Sequence, residues 1–115
     1  MNKILLHFEG LAVLVLSVYL YSFNEYSWGM FLILLLAPDI SMIGYLINNK
    51  VGARCYNIFH TYTLPITIVI VGLLLSHQLV LAVGFIWSAH IGMDRAIGYG
   101  LKYSTNFKDT HLNRV

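Results

Sequence analysis

The sequence predicts an all-α integral membrane protein, a four-helix bundle in up-down-up-down order. Of its 115 residues, 58% are hydrophobic and 10% are charged, whereas an average soluble domain has roughly 25% charged residues. Four apolar segments, at about 3–21, 28–47, 55–75 and 79–98, each approach the roughly 20 residues that cross the hydrocarbon core of a bilayer. The connections between them are short, so neighbouring helices should run antiparallel. A cytoplasmic tail, 101–115, completes a single domain.

The first two spans are each interrupted by an acidic residue. The first follows Lys3 as a secretory signal would, but its apolar run is too long, Glu9 lies within it and no small-residue cleavage pattern follows. We therefore interpret it as a membrane span. In the second span, Pro38 directly precedes Asp39. Proline cannot donate to the Leu34 carbonyl, which predicts a kink and a pocket beside the Asp39 carboxylate.

The third span carries polar residues on one helical face, where Tyr56, Asn57 and His60 project together. Pro65 lies further along and leaves the Thr61 carbonyl without its helical donor. Polar groups within the hydrocarbon usually face the interior of a bundle. This face is therefore predicted to turn inward.

The fourth span separates polar residues from small ones. His90 and Asp94 are four residues apart and project from the same side of a helix, beside Trp87. The opposite side carries a row of small residues that permits close approach of another helix: Gly92, Ala96 and Gly100. Glycine in the run 98–100 is expected to end the helix.

The charged residues predict the orientation of the spans. Lysine and arginine precede the first span, lie between the second and third, and follow the fourth, and the other two connections have none. The positive-inside rule then places both termini and the connection between the second and third spans in the cytoplasm. The expected location is the cytoplasmic (inner) membrane. Membrane lipids are the expected partners, together with a second copy or another membrane protein. Nucleic acid is not expected at a net charge of +2.

Ionisable residues inside the spans are the candidate functional residues, because each costs several kcal/mol in hydrocarbon unless paired, metal-bound or hydrated. Counted by helix rise, Glu9, Asp39, His60, His90 and Asp94 all fall in the cytoplasmic half of the bundle. Imidazoles and carboxylates on facing helices suit a divalent metal such as Zn, Fe or Mn. We predict His60, His90 and Asp39 as ligands, with Asp94 and Asp39 as catalytic carboxylates. A hydrogen-bond network that only fixes helix register is the alternative.

The remaining polar residues are weaker candidates. Glu9 is shallower and could pair with Arg95, which is itself interpreted as an interface anchor. His77, in an outer loop, has no evident role. A solvated tail is the default expectation, although Asp109 and His111 could cap the cytoplasmic mouth of the bundle.

Five runs of the sequence carry a family resemblance: PDISMIGY at 38–45, GARCYN at 52–57, HTY at 60–62, WSAHIGMDRAIGYGLKY at 87–103 and FKDTHL at 107–112. They resemble a family of short bacterial four-span membrane proteins classed as a domain of unknown function, number 4260. The resemblance extends from the second span to the tail and implies the four-span architecture, but no activity. A looser similarity, of His and Asp residues on membrane helices, links the chain to intramembrane zinc hydrolases of the alkaline ceramidase and adiponectin-receptor type, which have more spans and a different His arrangement.

The leading functional hypothesis is a metal-dependent hydrolase that acts on a lipid or another amphiphile from the cytoplasmic side. In it, Asp94 orients a ligand or serves as general base. The competing hypothesis is a non-enzymatic protein in which the same residues bind an ion or a proton, or hold a larger membrane assembly together. A transporter would need polar residues in the outer half as well, where the sequence offers only Ser17 and Thr67.

Overall fold

The computed structural model describes residues 2–23, 26–104, 108 and 110–114, and the regular elements among them are all helical. Within these residues, four stretches are long and apolar enough to cross a membrane. The all-α membrane fold class is therefore confirmed, whereas the up-down-up-down order and the orientation stay predictions. The elements are α1 (Asn2–Phe23), α2 (Trp28–Leu34), a 3₁₀ helix (Ala37–Leu46), α3 (Asn49–His60), α4 (Thr63–Leu74), α5 (Gln78–Ile97) and α6 (His111–Arg114).

The helix ends follow from local capping chemistry. The side chain of Asn48 accepts the Val51 N–H at 2.8 Å, so α3 begins at Asn49, six residues before the predicted start of the third span. His77, for which the sequence suggested no role, caps α5 in the same way. Gly98 ends α5 in the left-handed conformation, with φ 105°, as the glycine run predicted.

The second span is broken at Pro38, as predicted. The helix changes there from α to 3₁₀, and the Asp39 N–H donates to the Leu36 carbonyl at 3.1 Å. A ten-residue 3₁₀ helix is long, because runs beyond three or four residues are uncommon. The third span is also broken, between His60 and Thr63, so Pro65 lies in the first turn of α4, where a missing N–H costs nothing.

Helix α5 lies at the centre of the fold and packs against α1 on one side and α4 on the other. A side chain at Gly92 would collide with the Gly10 carbonyl and the Leu14 backbone, so the two helices cross backbone to backbone. The predicted row of small residues therefore does bring another helix close. A second packing unit is formed by the 3₁₀ helix and α3. Large apolar side chains on the outer surfaces, among them Ile33, Leu46 and Leu74, are exposed, as a lipid-facing surface requires.

The tail folds back onto the helices, contrary to the expectation of a solvated segment. Lys102 pairs with Thr110 in an antiparallel bridge, and the His111 N–H donates to the Leu101 carbonyl at 2.8 Å. Leu112 is completely buried. His111 lines a different cavity from the one beside Asp39, and Asp109 lies outside the described residues.

Candidate metal centre

Four ionisable side chains from three helical segments meet at one point in the fold. Asp39 comes from the 3₁₀ helix, His60 from α3, and His90 and Asp94 from α5. Their ligand atoms all lie within 4.8 Å of one another, a group that could hold a metal ion. His60 and His90 are fully buried and Asp94 is buried. All four side chains singled out in the sequence as ligands or catalytic groups are therefore brought together.

His60 is the last residue of α3, and side chains from α5 hold it there. Thr61 is extended and does not continue the helix, so the carbonyls of the last turn of α3 need other donors. Arg95 donates through Nη2 to the His60 carbonyl at 2.7 Å, and the Trp87 indole donates to the Phe59 carbonyl at 2.7 Å. Together these bonds fix the position of His60 against α5.

The His60 imidazole is oriented by its own helix. Its Nδ1 lies 2.8 Å from the Tyr56 carbonyl. The Tyr56 ring stacks on the imidazole, with ring centroids 3.7 Å apart and an interplanar angle of 7°. Since a carbonyl oxygen only accepts, Nδ1 carries the hydrogen and Nε2 is turned to the cluster.

The His90 imidazole is oriented by the break in the second span. Its Nδ1 lies 2.5 Å from the Leu35 carbonyl. In a 3₁₀ helix that carbonyl would accept from residue 38, but Pro38 has no N–H. The α-helical donor, Asp39, bonds to Leu36 instead. The proline therefore leaves the Leu35 carbonyl without a helical donor. In an unbroken α-helix the carbonyl without a donor would have been that of Leu34, one residue earlier.

Both imidazoles thus donate through Nδ1 to a backbone carbonyl, the usual outer-shell arrangement of metal-binding histidines. Their Nε2 atoms lie 3.1 Å apart. Asp39 Oδ1 is 3.2 Å from each Nε2, and Asp94 Oδ2 is 3.2 Å from His90 and 3.7 Å from His60. With neutral imidazoles, four acceptor atoms face one another with no hydrogen between them, which is unfavourable unless a cation joins them.

Five of the six separations among the four ligand atoms are close to those of a tetrahedral site. Bonds of about 2.0 to 2.1 Å to nitrogen and oxygen give ligand atoms about 3.3 Å apart around tetrahedral zinc. The five separations given above run from 3.1 to 3.7 Å, and the sixth, between the two carboxylates, lies within 4.8 Å. The arrangement therefore fits a small divalent ion with two nitrogen and two oxygen ligands.

The two carboxylates differ in their access to solvent. The side chain of Asp94 is 9% exposed and that of Asp39 is 38% exposed. Both border a cavity of about 210 Å³ beside the cluster. Asp39 is thus the ligand best placed to exchange with a water molecule or a substrate. The cavity is lined by Asp39, Met42, Tyr56, Asp94, Tyr99 and Lys102.

Lys102 is a residue of this site that the sequence did not indicate. Asn57 receives the Lys102 N–H at 2.6 Å and donates to the Lys102 carbonyl at 2.7 Å. The Lys102 ammonium lies over the Tyr56 ring, 4.5 Å from the centroid, and Lys102 as a whole is only 5% exposed. Burial lowers the pKa of Lys102, and the negative charges of Asp94 and Asp39 oppose that shift. The only sequence feature that relates to Lys102 is the inward face predicted for Asn57, the residue that holds it.

Two other candidates lie apart from the cluster. Glu9 is exposed on α1 and lines a separate cavity of about 250 Å³. Arg95 is buried at 6% exposure and bonds to the carbonyls of His60 and Tyr99. Its interpretation as an interface anchor is therefore wrong, because the breaks at the ends of α3 and α5 leave carbonyls that need its guanidinium.

Comparison with known proteins places the whole fold in one family. No curated protein and no solved structure matches the chain, so the looser similarity to intramembrane zinc hydrolases finds no support there. A family described as Domain of unknown function (DUF4260) matches residues 3–115, which include every residue of the cluster. The chain therefore belongs to the DUF4260 family.

Proposed function

We propose that the cluster binds one divalent metal ion and that the protein is a metal-dependent hydrolase of a lipid or another amphiphile. The observation that carries the proposal is the pair of buried imidazoles whose Nδ1 atoms are both committed to carbonyls, at Tyr56 and Leu35. Their Nε2 atoms then face each other and the two carboxylates. Two nitrogen and two oxygen ligands suit zinc best, with iron and manganese as alternatives.

The roles of the two carboxylates follow from their exposure. Asp94, buried beside His90, would stay on the metal as a ligand, whereas Asp39, open to the cavity, would be the carboxylate free to act as a base. This exchanges the roles expected from the sequence, where Asp94 was the candidate base. A divalent ion at the site supplies Lewis-acid activation of water. The water oxygen attacks the substrate, Asp39 takes its proton, and the proton passes to the leaving group as the scissile bond breaks.

The membrane setting supports an amphiphilic substrate. The four apolar stretches suggest a multi-pass membrane protein, and the cavity combines the charged cluster with Met42 and two tyrosines. We propose that both termini are cytoplasmic, because lysine and arginine are found at both ends of the chain and between the second and third spans, and not in the other two connections. The inner membrane is the proposed location, as the family resemblance implies. Membrane lipids then surround the cavity and are its nearest source of substrate.

Metal analysis of the purified protein tests the first part of the proposal. We expect one metal ion per chain by mass spectrometry, and its loss in His90→Ala. His77→Asn is the matched control, since asparagine also caps a helix and His77 is exposed far from the cluster. Absence of metal from wild-type protein that retains its helical circular dichroism would overturn the proposal.

Hydrolysis of chromogenic amphiphiles tests the second part. With ester, amide and phosphate-ester substrates in detergent, we expect turnover by the metal-loaded protein and its loss in Asp39→Asn. Glu9→Gln is the control, because Glu9 is an exposed carboxylate outside the cluster. Stoichiometric metal without turnover of any substrate class would favour the non-enzymatic carrier.

A further inference from the structure

The cavity beside the cluster carries a positive charge that the ligand chemistry does not use. Lys102 lines this cavity together with both carboxylates. Its position is set by Asn57, which bonds to both the N–H and the carbonyl of Lys102. The bridge between Lys102 and Thr110 holds the same segment from the other side. The Asn57 side chain and the bridge to Thr110 therefore hold this lysine of the tail beside the cavity.

The charge balance of the cavity changes when metal binds. Without metal, Asp39 and Asp94 supply two negative charges beside the Lys102 ammonium. A divalent ion neutralises both carboxylates, and the other lining residues, Met42, Tyr56 and Tyr99, are uncharged. Among the described lining residues, the ion and the Lys102 ammonium are then the groups that attract an anion, and charged hydrogen bonds to an anionic oxygen are strong.

We propose that the cavity binds a phosphate group of its substrate between the metal and Lys102. The inference rests on the proposed function, because it needs the metal to neutralise the carboxylates. Asp39, the more exposed carboxylate, borders the same cavity, so with metal bound one phosphate oxygen would meet the ion on the Asp39 side, while a second oxygen would accept a hydrogen bond from Lys102. The phosphate can belong to a lipid headgroup or to a soluble molecule, since the recognition chemistry is the same.

Lys102 acts here as a binding residue, so its replacement should weaken anion binding and leave the metal in place. We expect Lys102→Met, which keeps the length and apolar stem of the side chain, to weaken phosphate binding about 10-fold to 100-fold, the loss expected for a charged hydrogen bond. Lys102→Arg should retain most of the binding. Lys50→Gln is the control, because Lys50 is an exposed lysine on α3.

The test uses full-length zinc-loaded protein and two probes. Calorimetric titration with inorganic phosphate measures the soluble ligand, and binding to nanodiscs that contain either phosphatidic acid or phosphatidylcholine alone measures the headgroup. Weaker binding of either anionic probe by Lys102→Met, with wild-type behaviour in Lys50→Gln, supports the inference, and the probe affected identifies the source of the phosphate.

The metal content of the same samples separates the two proposals. Metal-loaded wild type that binds both probes no better than Lys102→Met does would overturn the phosphate site alone. Wild type that holds no metal would overturn both proposals. Lys102→Met that loses its metal or its helical content is replaced by Lys102→Gln in the same comparison, and equal binding by that variant counts against the inference.

Discussion

Replacing Asp39 with asparagine should move the stability of the metal-free and metal-bound protein in opposite directions. In the metal-free protein, Asp39 Oδ1 lies 3.2 Å from Nε2 of both His60 and His90. An amide at this position can donate a hydrogen to one of these nitrogens and removes one of two neighbouring negative charges. A net hydrogen bond contributes about 0.5 to 1.5 kcal/mol. At about 4 °C per kcal/mol for a chain of this size, Tm should rise by about 2 to 6 °C.

The metal-bound protein should show the reverse, because the variant loses an anionic ligand. Outer-shell changes alone cost 10-fold to 100-fold in metal affinity, so loss of a ligand should cost at least about 100-fold. At a free metal concentration 100 times Kd, wild type gains about 2.7 kcal/mol, or about 11 °C, whereas a 100-fold weaker variant gains about 0.4 kcal/mol, or about 2 °C.

Thermal unfolding in detergent, followed by circular dichroism at pH 8, measures both effects on one sample. Each protein is stripped with chelator, scanned, then supplied with zinc and scanned again, and Glu9→Gln serves as the carboxylate control. A lower Tm for stripped Asp39→Asn, with an unchanged zinc-induced shift, would refute the reasoning. That pattern would mean that Asp39 accepts a hydrogen bond from a protonated imidazole and that the cluster is a hydrogen-bond network.

Three further predictions concern the break at Pro38, the packing of α5 against α1 and the docking of the tail. Pro38→Ala supplies an N–H that competes for the Leu35 carbonyl, so zinc affinity should fall about 10-fold, measured by competition with a chromophoric chelator; unchanged affinity would contradict the role given to the proline. Gly92→Leu places a side chain against the Gly10 carbonyl and should destabilise the fold by more than about 2 kcal/mol in denaturant titration, with no change expected for Leu74→Ala on the exposed surface. Burial, aided by the positive charge of Arg95, lowers the pKa of His111, whose neutral Nδ1 accepts the Leu101 N–H at 2.7 Å. The tail should therefore stay docked above the ordinary histidine pKa of about 6.5 and loosen as pH falls below it. Hydrogen exchange of residues 110–114, corrected for intrinsic rates, should become faster at the lower pH. Protection that does not depend on pH would contradict this assignment.

Features that depend on local sequence were predictable. Spacing alone placed His90 and Asp94 on one face of α5, Gly98 at its end, and the break of the second span at Pro38. The convergence of Asp39 and His60 on that face followed from the cost of burying them in hydrocarbon. These predictions succeeded because each rests on helix geometry or on solvation, which act whatever the tertiary packing.

Features that depend on contacts between distant segments were not predictable. Lys102 reaches the cavity through its bonds with Asn57, 45 residues away, and the sequence placed it only in a polar tail. Arg95 was expected at the membrane interface, because the break after His60 that gives it a partner was not expected. Which carbonyl orients His90 depends on the exact residue at which the 3₁₀ helix begins, and a proline alone does not specify that residue. In the structure this carbonyl is that of Leu35.

X-ray absorption spectroscopy of the purified, zinc-loaded protein tests most directly whether the four side chains form a metal centre. The arrangement predicts four nitrogen and oxygen ligands at about 2.0 Å, with multiple-scattering features from two imidazoles, and one imidazole fewer in His60→Ala. A six-coordinate shell, sulfur ligation or a spectrum unchanged in His60→Ala would contradict the account.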